Sequence, residues 1–203
     1  MVILASASPR RIEMLTNAGL DPVVRPASII ETLPFPMEPE TATMYLAMRK
    51  ASAVYDEIKS KADSLPKGTN RDWPPASDYA IIGADTVVVH EGRIIGKPKD
   101  KQDAYSILNR LRATSHHVIT GCCVIKDDVS SLSPIKICFY EDTKVFFKNY
   151  SASELEEYLS TDEAYDKAGG YAIQGAFGKY IDQIEGDYNN VVGLPLDKLL
   201  SYL

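Results

Sequence analysis

Apolar residues along this chain fall into two kinds of segment: continuous runs typical of buried strands, and stretches with a helical period. The run at residues 2–5 leads through a turn into an amphipathic stretch at 12–18, which predicts a strand followed by a helix. Strands and helices alternate without internal repeats, which predicts a single α/β domain with a mixed central β-sheet flanked by helices. Further strands are predicted at residues 80–90, 93–95, 115–125, 135–147 and about 180–184, and further helices at 41 to about 60, after Asp100, after Ser151 and after Pro195.

The most loop-like tract of the chain covers residues 60–78, where proline, glycine and asparagine are frequent. A tract of this length predicts a surface loop insertion. It is not expected to be a domain boundary, because the segments on either side are too small for separate cores. The 203 residues, 45% hydrophobic and 25% charged, are typical of a globular protein, and we therefore predict one domain over residues 1–203.

Charge excludes one class of partner. The chain has 22 basic and 28 acidic residues and a formal net charge of −6, so a general affinity for nucleic acid is not expected. No apolar run approaches the roughly 20 residues of a membrane span, and no secretory signal pattern is present. We expect a cytoplasmic protein without a membrane partner.

The three cysteines do not suggest a metal site. Cys122 and Cys123 are adjacent in a predicted strand, where neighbouring side chains point to opposite faces and are poorly placed to bind one ion. With Cys138, they are predicted to be buried apolar thiols in a reducing compartment.

The turn after the first strand concentrates hydroxyls and arginines at the start of a helix. Residues 6–11 read SASPRR, with Ser8 suited to the N-cap and Pro9 to the first helical position. Arg10 and Arg11 then fall in the first turn, where the helix dipole favours an anion over a cation. The pattern predicts a local phosphate site.

Asp85 is conspicuous because it interrupts the apolar run at residues 81–89. Burying a carboxylate is costly without a partner. Gly83 and Ala84 precede it with minimal side chains, as expected where a bound group approaches the backbone. We predict a metal ligand or general base, the alternative being a structural Asp that caps a turn or pairs with an arginine.

Further candidates lie on other elements. Lys50 shares a helical face with Leu46 and Val54, and could be functional or a snorkelling lysine at the edge of the core. Lys97 stands between a glycine and a proline, which restrict its backbone, although it could be a solvated turn residue. Gln174 follows a glycine-rich stretch, and its amide offers both a donor and an acceptor, which are the groups needed to hydrogen-bond to the edge of a base.

Together these residues outline a site for phosphate chemistry, although neither a P-loop nor a Rossmann glycine motif is present. The set comprises the cations Arg10, Arg11, Lys50 and Lys97, the hydroxyls Ser6 and Thr86, the carboxylates Glu31 and Asp85, and the amide Gln174.

Six separated sequence blocks stand in order along nearly the whole chain. They are LASASPRR at 4–11, LA and KA at 46–47 and 50–51, GADTVV at 83–88, GKP at 96–98, DKAG with IQG within 166–175, and EGDYNNVVGLP at 185–195. These blocks make the chain similar to the Maf family of nucleoside triphosphate pyrophosphatases. The resemblance implies a Maf/ITPase-like fold, with an elongated mixed sheet and a nucleotide-binding cleft, and a homodimer.

The resemblance also implies an activity: hydrolysis of dTTP and UTP to the monophosphate and pyrophosphate, with a divalent cation, Mg²⁺ or Mn²⁺, as cofactor. Threonine after the aspartate resembles the dTTP/UTP branch of the family. The implied roles are Asp85 as proton acceptor, Arg10, Thr86 and Gln174 in base selection, Ser6, Arg11, Lys50 and Lys97 around the triphosphate, and Glu31 with Asp85 at the metal.

Two segments depart from the family pattern, one of them the 60–78 insertion, which is longer than in compact members, and two other functions compete. Residues 112–115 lack the serine-glycine step usual before His116, which predicts a reshaped turn. A non-catalytic nucleotide-binding regulator of cell division is the main alternative, although such a protein has little use for a buried base. A plain phosphatase is the other, but Gly83 stands where the D-x-D-x-T phosphatase pattern requires its first aspartate.

Overall fold

The computed structural model describes residues 1–64, 78–127 and 133–203. Its strands are β1 (Val2–Leu4), β2 (Val23–Val24), β3 (Tyr79–His90), β4 (Arg93–Ile95), β5 (Ser115–Asp127), β6 (Ile135–Phe147) and β7 (Ile181–Glu185). Its α-helices are α1 (Pro9–Asn17), α2 (Pro39–Ser64), α3 (Lys101–Leu111), α4 (Ala152–Tyr158), α5 (Tyr188–Val192) and α6 (Leu196–Leu200). Three short 3-10 helices cover Asp162–Ala164, Ala168–Gly170 and Ala176–Tyr180.

The strands form a mixed sheet, as the alternation of elements predicts. Their order is β2-β1-β3-β5-β6-β7, with β4 paired to β3. Strand β1 runs parallel to both β2 and β3, whereas the β3–β4 and β6–β7 pairs are antiparallel. Parallel pairs need a crossover connection, and α1 and α2 supply those between β1, β2 and β3.

The chain divides into two compact units. The first comprises Met1–Asp85, Gly121–Tyr140 and Leu196–Leu203, and the second Thr86–Thr120 and Glu141–Pro195. The core of the first unit is mainly aliphatic, with residues such as Ile3, Val54 and Ile81 from β1, α2 and β3. The core of the second unit is rich in aromatic rings, among them Phe147, Tyr150, Tyr158, Tyr171 and Phe177.

Two glycines let α2 lie against the sheet of the first unit. A Cβ atom on Gly83 would overlap the backbone carbonyl of Ala47 and lie 2.9 Å from the amide nitrogen of Ala51. A Cβ atom on Gly121 of β5 would overlap the backbone at Thr43. Because only glycine permits this approach, these positions fix the distance between α2 and the strands.

Several elements differ from the sequence predictions. Helix α2 continues to Ser64, so the start of the tract predicted as a 60–78 loop is helical, and residues 65–77 lie outside the described residues. Helix α5 was not predicted, because five residues are too few to establish a helical period. Cys122 and Cys123 are buried as predicted, whereas Cys138 of β6 is exposed.

The turn before His116, where the sequence departs from the family pattern, contains a residue with a positive φ. Ala113 has a φ of 54°, the left-handed region that glycine adopts without strain, and its amide donates to the carbonyl of Lys148. His116 itself is a core residue. Burial lowers its pKa to about 3, so the ring is neutral, and its Nε2 forms a 2.6 Å hydrogen bond with the hydroxyl of Tyr171.

No helix among the described residues combines the length and the apolar character needed to cross a membrane.

Candidate active site

The first unit brings the SASPRR turn beside Asp85 through strand pairing. Leu4 of β1 is in register with Ile82 of β3, and the amide of Ala5 donates to the Ile82 carbonyl at 2.8 Å. Because the two strands are parallel, their carboxyl ends lie at the same edge of the sheet. The turn that follows β1 therefore lies beside the β3 residues that follow Ile82.

Arg11 connects these two segments. Its Nη1 donates to the Oγ of Ser6 at 3.2 Å and to the carbonyl of Ala84 at 2.9 Å. Burial lowers the pKa of the guanidinium, an effect that the nearby Asp85 carboxylate opposes. An arginine stays protonated in proteins even so, and the contact places a buried positive charge at the start of α1.

Ser8 occupies the predicted N-cap position of α1 but does not cap the helix with its side chain. Its backbone N–H instead donates to the Oγ of Ser6 at 3.2 Å, so Ser6 closes the turn. The prediction that Ser8 is the N-cap residue is therefore confirmed, but the capping hydrogen bond expected from its side chain is absent. A helix start without a side-chain cap retains amide donors for an anion.

Lys50 joins the two predicted acidic residues. Its Nζ lies 2.7 Å from Oδ1 of Asp85 and 3.0 Å from Oε1 of Glu31. Only 12% of the Lys50 side chain is exposed, whereas 56% of the Glu31 side chain is. Lys50 is thus neither a snorkelling lysine nor solvated, and its place on α2 opposite Gly83 explains how it reaches Asp85.

Burial dominates the electrostatics of Asp85. Desolvation raises the pKa of its carboxyl above the usual 3.8, the neighbouring Glu31 also raises it, and Lys50 and Arg11 lower it. The net direction is upward. A carboxylate with a raised pKa is a stronger base than an ordinary one, which suits proton acceptance in catalysis.

Arg49 holds the segment that carries Glu31, a role the sequence did not reveal. Its Nη1 donates to the carbonyl of Ile30 at 2.9 Å and to that of Thr32 at 3.4 Å. Arg49 and Lys50 are neighbours on α2, so the helix both anchors this segment and contacts its carboxylate. In the sequence, Arg49 is only an arginine next to the apolar stripe of α2. Arginines at such positions are too common to indicate this role.

Thr86, the first residue of the second unit, belongs to a hydrogen-bonded chain. Its Oγ1 lies 2.9 Å from Oγ1 of Thr120, and Thr120 donates to the carbonyl of Asn190 at 3.2 Å. Since Thr120 has one hydroxyl proton and uses it on that carbonyl, Thr86 is the donor in the threonine pair. The lone pairs of the Thr86 oxygen are then oriented as acceptors.

Lys97 and the glycine-rich run are joined in the second unit. The amide of Gly169 donates to the carbonyl of Gly96 at 3.1 Å, and the hydroxyl of Tyr158 donates to the carbonyl of Gly170 at 3.1 Å. The side chain of Lys97 is exposed, as is that of Gln174 on the segment between two 3-10 helices. These contacts fix the backbone from which Lys97 projects.

The whole chain matches a known protein family. The model of a family described as Maf-like protein matches residues 1–203. The chain belongs to the Maf family. It is 40% identical over 202 residues to a dTTP/UTP pyrophosphatase of Agathobacter rectalis, with 100% of this chain and 95% of that protein covered. It is 41% identical over 197 residues to a dTTP/UTP pyrophosphatase of Geobacillus sp. (strain WCH70), covering 97% of this chain and 93% of the relative.

In this Maf-family chain, the predicted site residues divide between the two units. The first unit brings together two contacting groups, Ser6 with Arg11 and Lys50 with Asp85 and Glu31, and Arg11 also bonds the carbonyl of Ala84 next to Asp85. Arg10 is half-buried in the first turn of α1 beside them. Thr86, Lys97 and Gln174 belong to the second unit.

The two acidic residues supply donors of the type a hard cation prefers. Carboxylate oxygens suit Mg²⁺ or Mn²⁺, which complete their coordination with water and phosphate oxygens. Within the described residues, no group of three or more His, Cys, Asp or Glu side chains is close enough to hold an ion without such help. Glu31 and Asp85 are the residues of this site that could contribute oxygen ligands to such a cation.

Proposed function

We propose that this chain is a nucleoside triphosphate pyrophosphatase that converts dTTP and UTP to the nucleoside monophosphate and pyrophosphate. The observation that carries the proposal is Asp85, a buried carboxylate with a raised pKa that contacts Lys50 within a chain of the Maf family. The two relatives described above are named for the same activity, and their matches cover 100% and 97% of this chain.

In the proposed reaction, Asp85 accepts a proton from a water molecule that attacks the α-phosphorus. The bond from that phosphorus to the bridging oxygen breaks, and pyrophosphate leaves with the electron pair. A carboxylate with a raised pKa holds the accepted proton better than an ordinary one. General base catalysis of this kind typically contributes about 10²- to 10⁴-fold.

Charge on the triphosphate is proposed to be stabilised by Ser6, Arg11, Lys50 and Lys97. Arg11 is already held by Ser6 and by the Ala84 carbonyl, so it needs little reorganisation when the anion binds. A divalent cation, Mg²⁺ or Mn²⁺, held by Glu31 and Asp85, would supply further stabilisation of phosphate charge. Arg49 would keep Glu31 at its place through the backbone on either side.

Base selection is proposed for Arg10, Thr86 and Gln174. The Thr86 oxygen, which donates its proton to Thr120, is fixed as an acceptor and would take a hydrogen bond from an N–H of a pyrimidine. Gln174 is exposed and carries both a donor and an acceptor.

We further propose that the enzyme is cytoplasmic. We also propose that it is a homodimer, and size-exclusion chromatography with light scattering would test the oligomeric state.

One experiment separates this function from its rivals. Purified protein is incubated with dTTP, UTP, CTP, ATP and GTP in Mg²⁺, in Mn²⁺ and in EDTA, and pyrophosphate, orthophosphate and monophosphate are measured. Pyrophosphate together with monophosphate is expected from dTTP and UTP, only when metal is present. Orthophosphate would indicate a phosphatase, and binding without turnover a regulator of cell division.

Two variants assign the chemistry. Asp85→Asn is expected to lose at least about 100-fold in kcat, because the base is removed while the shape is kept. Asp127→Asn is the matched control, since Asp127 is also a largely buried carboxylate in contact with a lysine, Lys59, on α2. Equal activity in both variants would exclude Asp85 as the base.

A further inference from the structure

The second unit contains a cavity of about 300 Å³ whose lining shares one residue, Lys97, with the proposed substrate contacts. It lies among the β3–β4 hairpin, the segment after β4 and one face of α3. Its apolar wall includes the buried side chains of Ile95 and Ile107. The hairpin turn is rigidly specified, because Glu91 and Gly92 both have positive φ, 50° and 72°, as a tight two-residue connection requires.

Four cations line this cavity: Arg93, Lys97, Lys99 and Arg110. They come from three different segments, namely β4, the turn after it and α3. Within residues 1–64, 78–127 and 133–203, none of the four side chains forms an ion pair with a carboxylate. Like charges gathered without a partner repel one another, so the arrangement favours the binding of an anion.

The carboxylates in the cavity do not balance these charges. Two are present, Glu91 and Asp103, so the cavity keeps an excess of positive charge. The Oδ2 atom of Asp103 also accepts a 3.0 Å hydrogen bond from the backbone N–H of Lys99, which occupies part of its acceptor capacity. This local excess contrasts with the net charge of −6 of the whole chain.

We infer that this cavity is a binding site for a phosphoryl polyanion, either inorganic pyrophosphate or the phosphates of a nucleotide. Arginine and lysine side chains are the groups that bind phosphoryl oxygens through charge-assisted hydrogen bonds. A volume of about 300 Å³ lies at the lower end of the range for small-molecule sites. Only Lys97 is shared with the residues proposed to contact the substrate, and the site does not depend on turnover.

The test is two-dimensional NMR of the full ¹⁵N-labelled chain without divalent metal, titrated separately with pyrophosphate, UDP and uridine. Pyrophosphate and UDP are expected to shift the amide signals of residues 93–95 and 107–110 saturably, and uridine is not. Tighter binding of UDP than of pyrophosphate identifies a nucleotide site, and the reverse an inorganic one. Raising NaCl from about 50 to about 200 mM is expected to weaken binding severalfold, because the cations are exposed.

Variants locate the binding. Arg93→Gln combined with Arg110→Gln is expected to weaken binding at least about tenfold, since two charge-assisted contacts are lost. Arg93→Lys combined with Arg110→Lys keeps the charges and is expected to retain most of the affinity, which excludes misfolding as the cause. Lys101→Gln removes one cation from α3 outside the cavity and is expected to change nothing.

Three results would overturn the inference: shifts at these amides that do not saturate, equal shifts with uridine, or wild-type affinity in the double glutamine variant. If the chain proves not to hydrolyse dTTP or UTP, this binding test remains valid, because the probes bind without being hydrolysed. Conversely, pyrophosphate release from dTTP or UTP with no binding at the cavity would reject only this inference.

Discussion

Lys50 and Asp85, 35 residues apart in the sequence, form an ion pair with a 2.7 Å separation between Nζ and Oδ1, and only 12% of each side chain is exposed. Burying such a pair is costly, and the attraction between its members does not fully repay the loss of hydration. The pKa of Asp85 stays raised despite Lys50 and Arg11, which shows that desolvation prevails. The pair therefore adds little to the stability of the fold, but its environment suits Asp85 as a proton acceptor.

The acidic limb of the pH–rate profile should depend on Lys50. Asp85 must be ionised to act as a base, so kcat/KM is expected to rise with pH through an apparent pKa above 3.8. Lys50→Gln removes the cation that lowers this pKa and should move the limb to higher pH, with a lower maximal rate. Glu31→Gln removes an anion that raises the pKa and should move the limb to lower pH.

The measurement is kcat/KM for UTP from pH 4 to 9 at fixed ionic strength. Lys61→Gln is the control, because Lys61 is an exposed lysine of the same helix that pairs with Glu57. Its profile should coincide with that of the wild type. A limb that stays in place in Lys50→Gln would contradict the assignment of this limb to Asp85.

Asp85 should also reduce stability at neutral pH. Its folded-state pKa is raised, so the folded chain binds this proton more tightly than the unfolded chain does, and ionisation above that pKa destabilises the fold. The destabilisation is complete above the folded-state pKa and disappears below about 3.8. Asp85→Asn is therefore expected to unfold at a higher temperature than the wild type at pH 7, with the difference shrinking as the pH falls to 4.

Thermal unfolding followed by circular dichroism at both pH values checks this. Asp127→Asn provides the contrast, because it leaves Lys59 and the hydroxyl of Tyr79 without their carboxylate partner and should lower the midpoint. A lower midpoint for Asp85→Asn at pH 7 would show that the carboxylate stabilises the fold.

Gly83 should be intolerant of any side chain. A methyl group there would overlap the backbone of α2 at Ala47, and Lys50 is less than one turn further along that helix. Gly83→Ala is expected to reduce the free energy of unfolding by about 1–3 kcal/mol or more, and to impair turnover because the Lys50–Asp85 pair is displaced. Gly96→Ala is the control for stability, since a Cβ atom there meets nothing within 4 Å.

Denaturant titration of both variants measures the difference. If Gly83→Ala unfolds at the wild-type midpoint, the helix can move away from β3 at no cost, and the close approach does not position Lys50.

Local signals in the sequence were sufficient for much of the fold. Asp100 accepts a hydrogen bond from the amide of Asp103, as its predicted cap requires. Ser151 and Glu154 form the predicted capping box. Such features depend on side chains within four residues of one another, so the sequence displays them directly.

The site required long-range information. A helical wheel places Lys50 on an apolar stripe but cannot show which residue it faces, because its partner lies on another element. The same holds for Thr120, which joins Thr86 to the carbonyl of Asn190 across 34 and 70 residues. The division of the candidate residues between two units likewise follows from tertiary contacts and has no local signature.

Thr86 should determine base preference through its oxygen. Its proton is directed to Thr120, and Thr86→Val removes the Thr86 oxygen as an acceptor while preserving the shape of the side chain. The expected result is a loss of about tenfold or more in kcat/KM for UTP and dTTP, because an N–H of the base is left unpaired. Activity on ATP, which is expected to be low, should change little, so the ratio of kcat/KM for UTP to kcat/KM for ATP should fall.

Steady-state kinetics with UTP, dTTP and ATP test this, with Thr86→Ser as the matched variant that restores the hydroxyl. Thr86→Ser should recover most of the activity on UTP. The fold is expected to survive in Thr86→Val, because Thr120 keeps its bond to the carbonyl of Asn190. Equal losses on all three nucleotides would indicate that Thr86 supports the site as a whole, and would transfer base selection to Arg10 and Gln174.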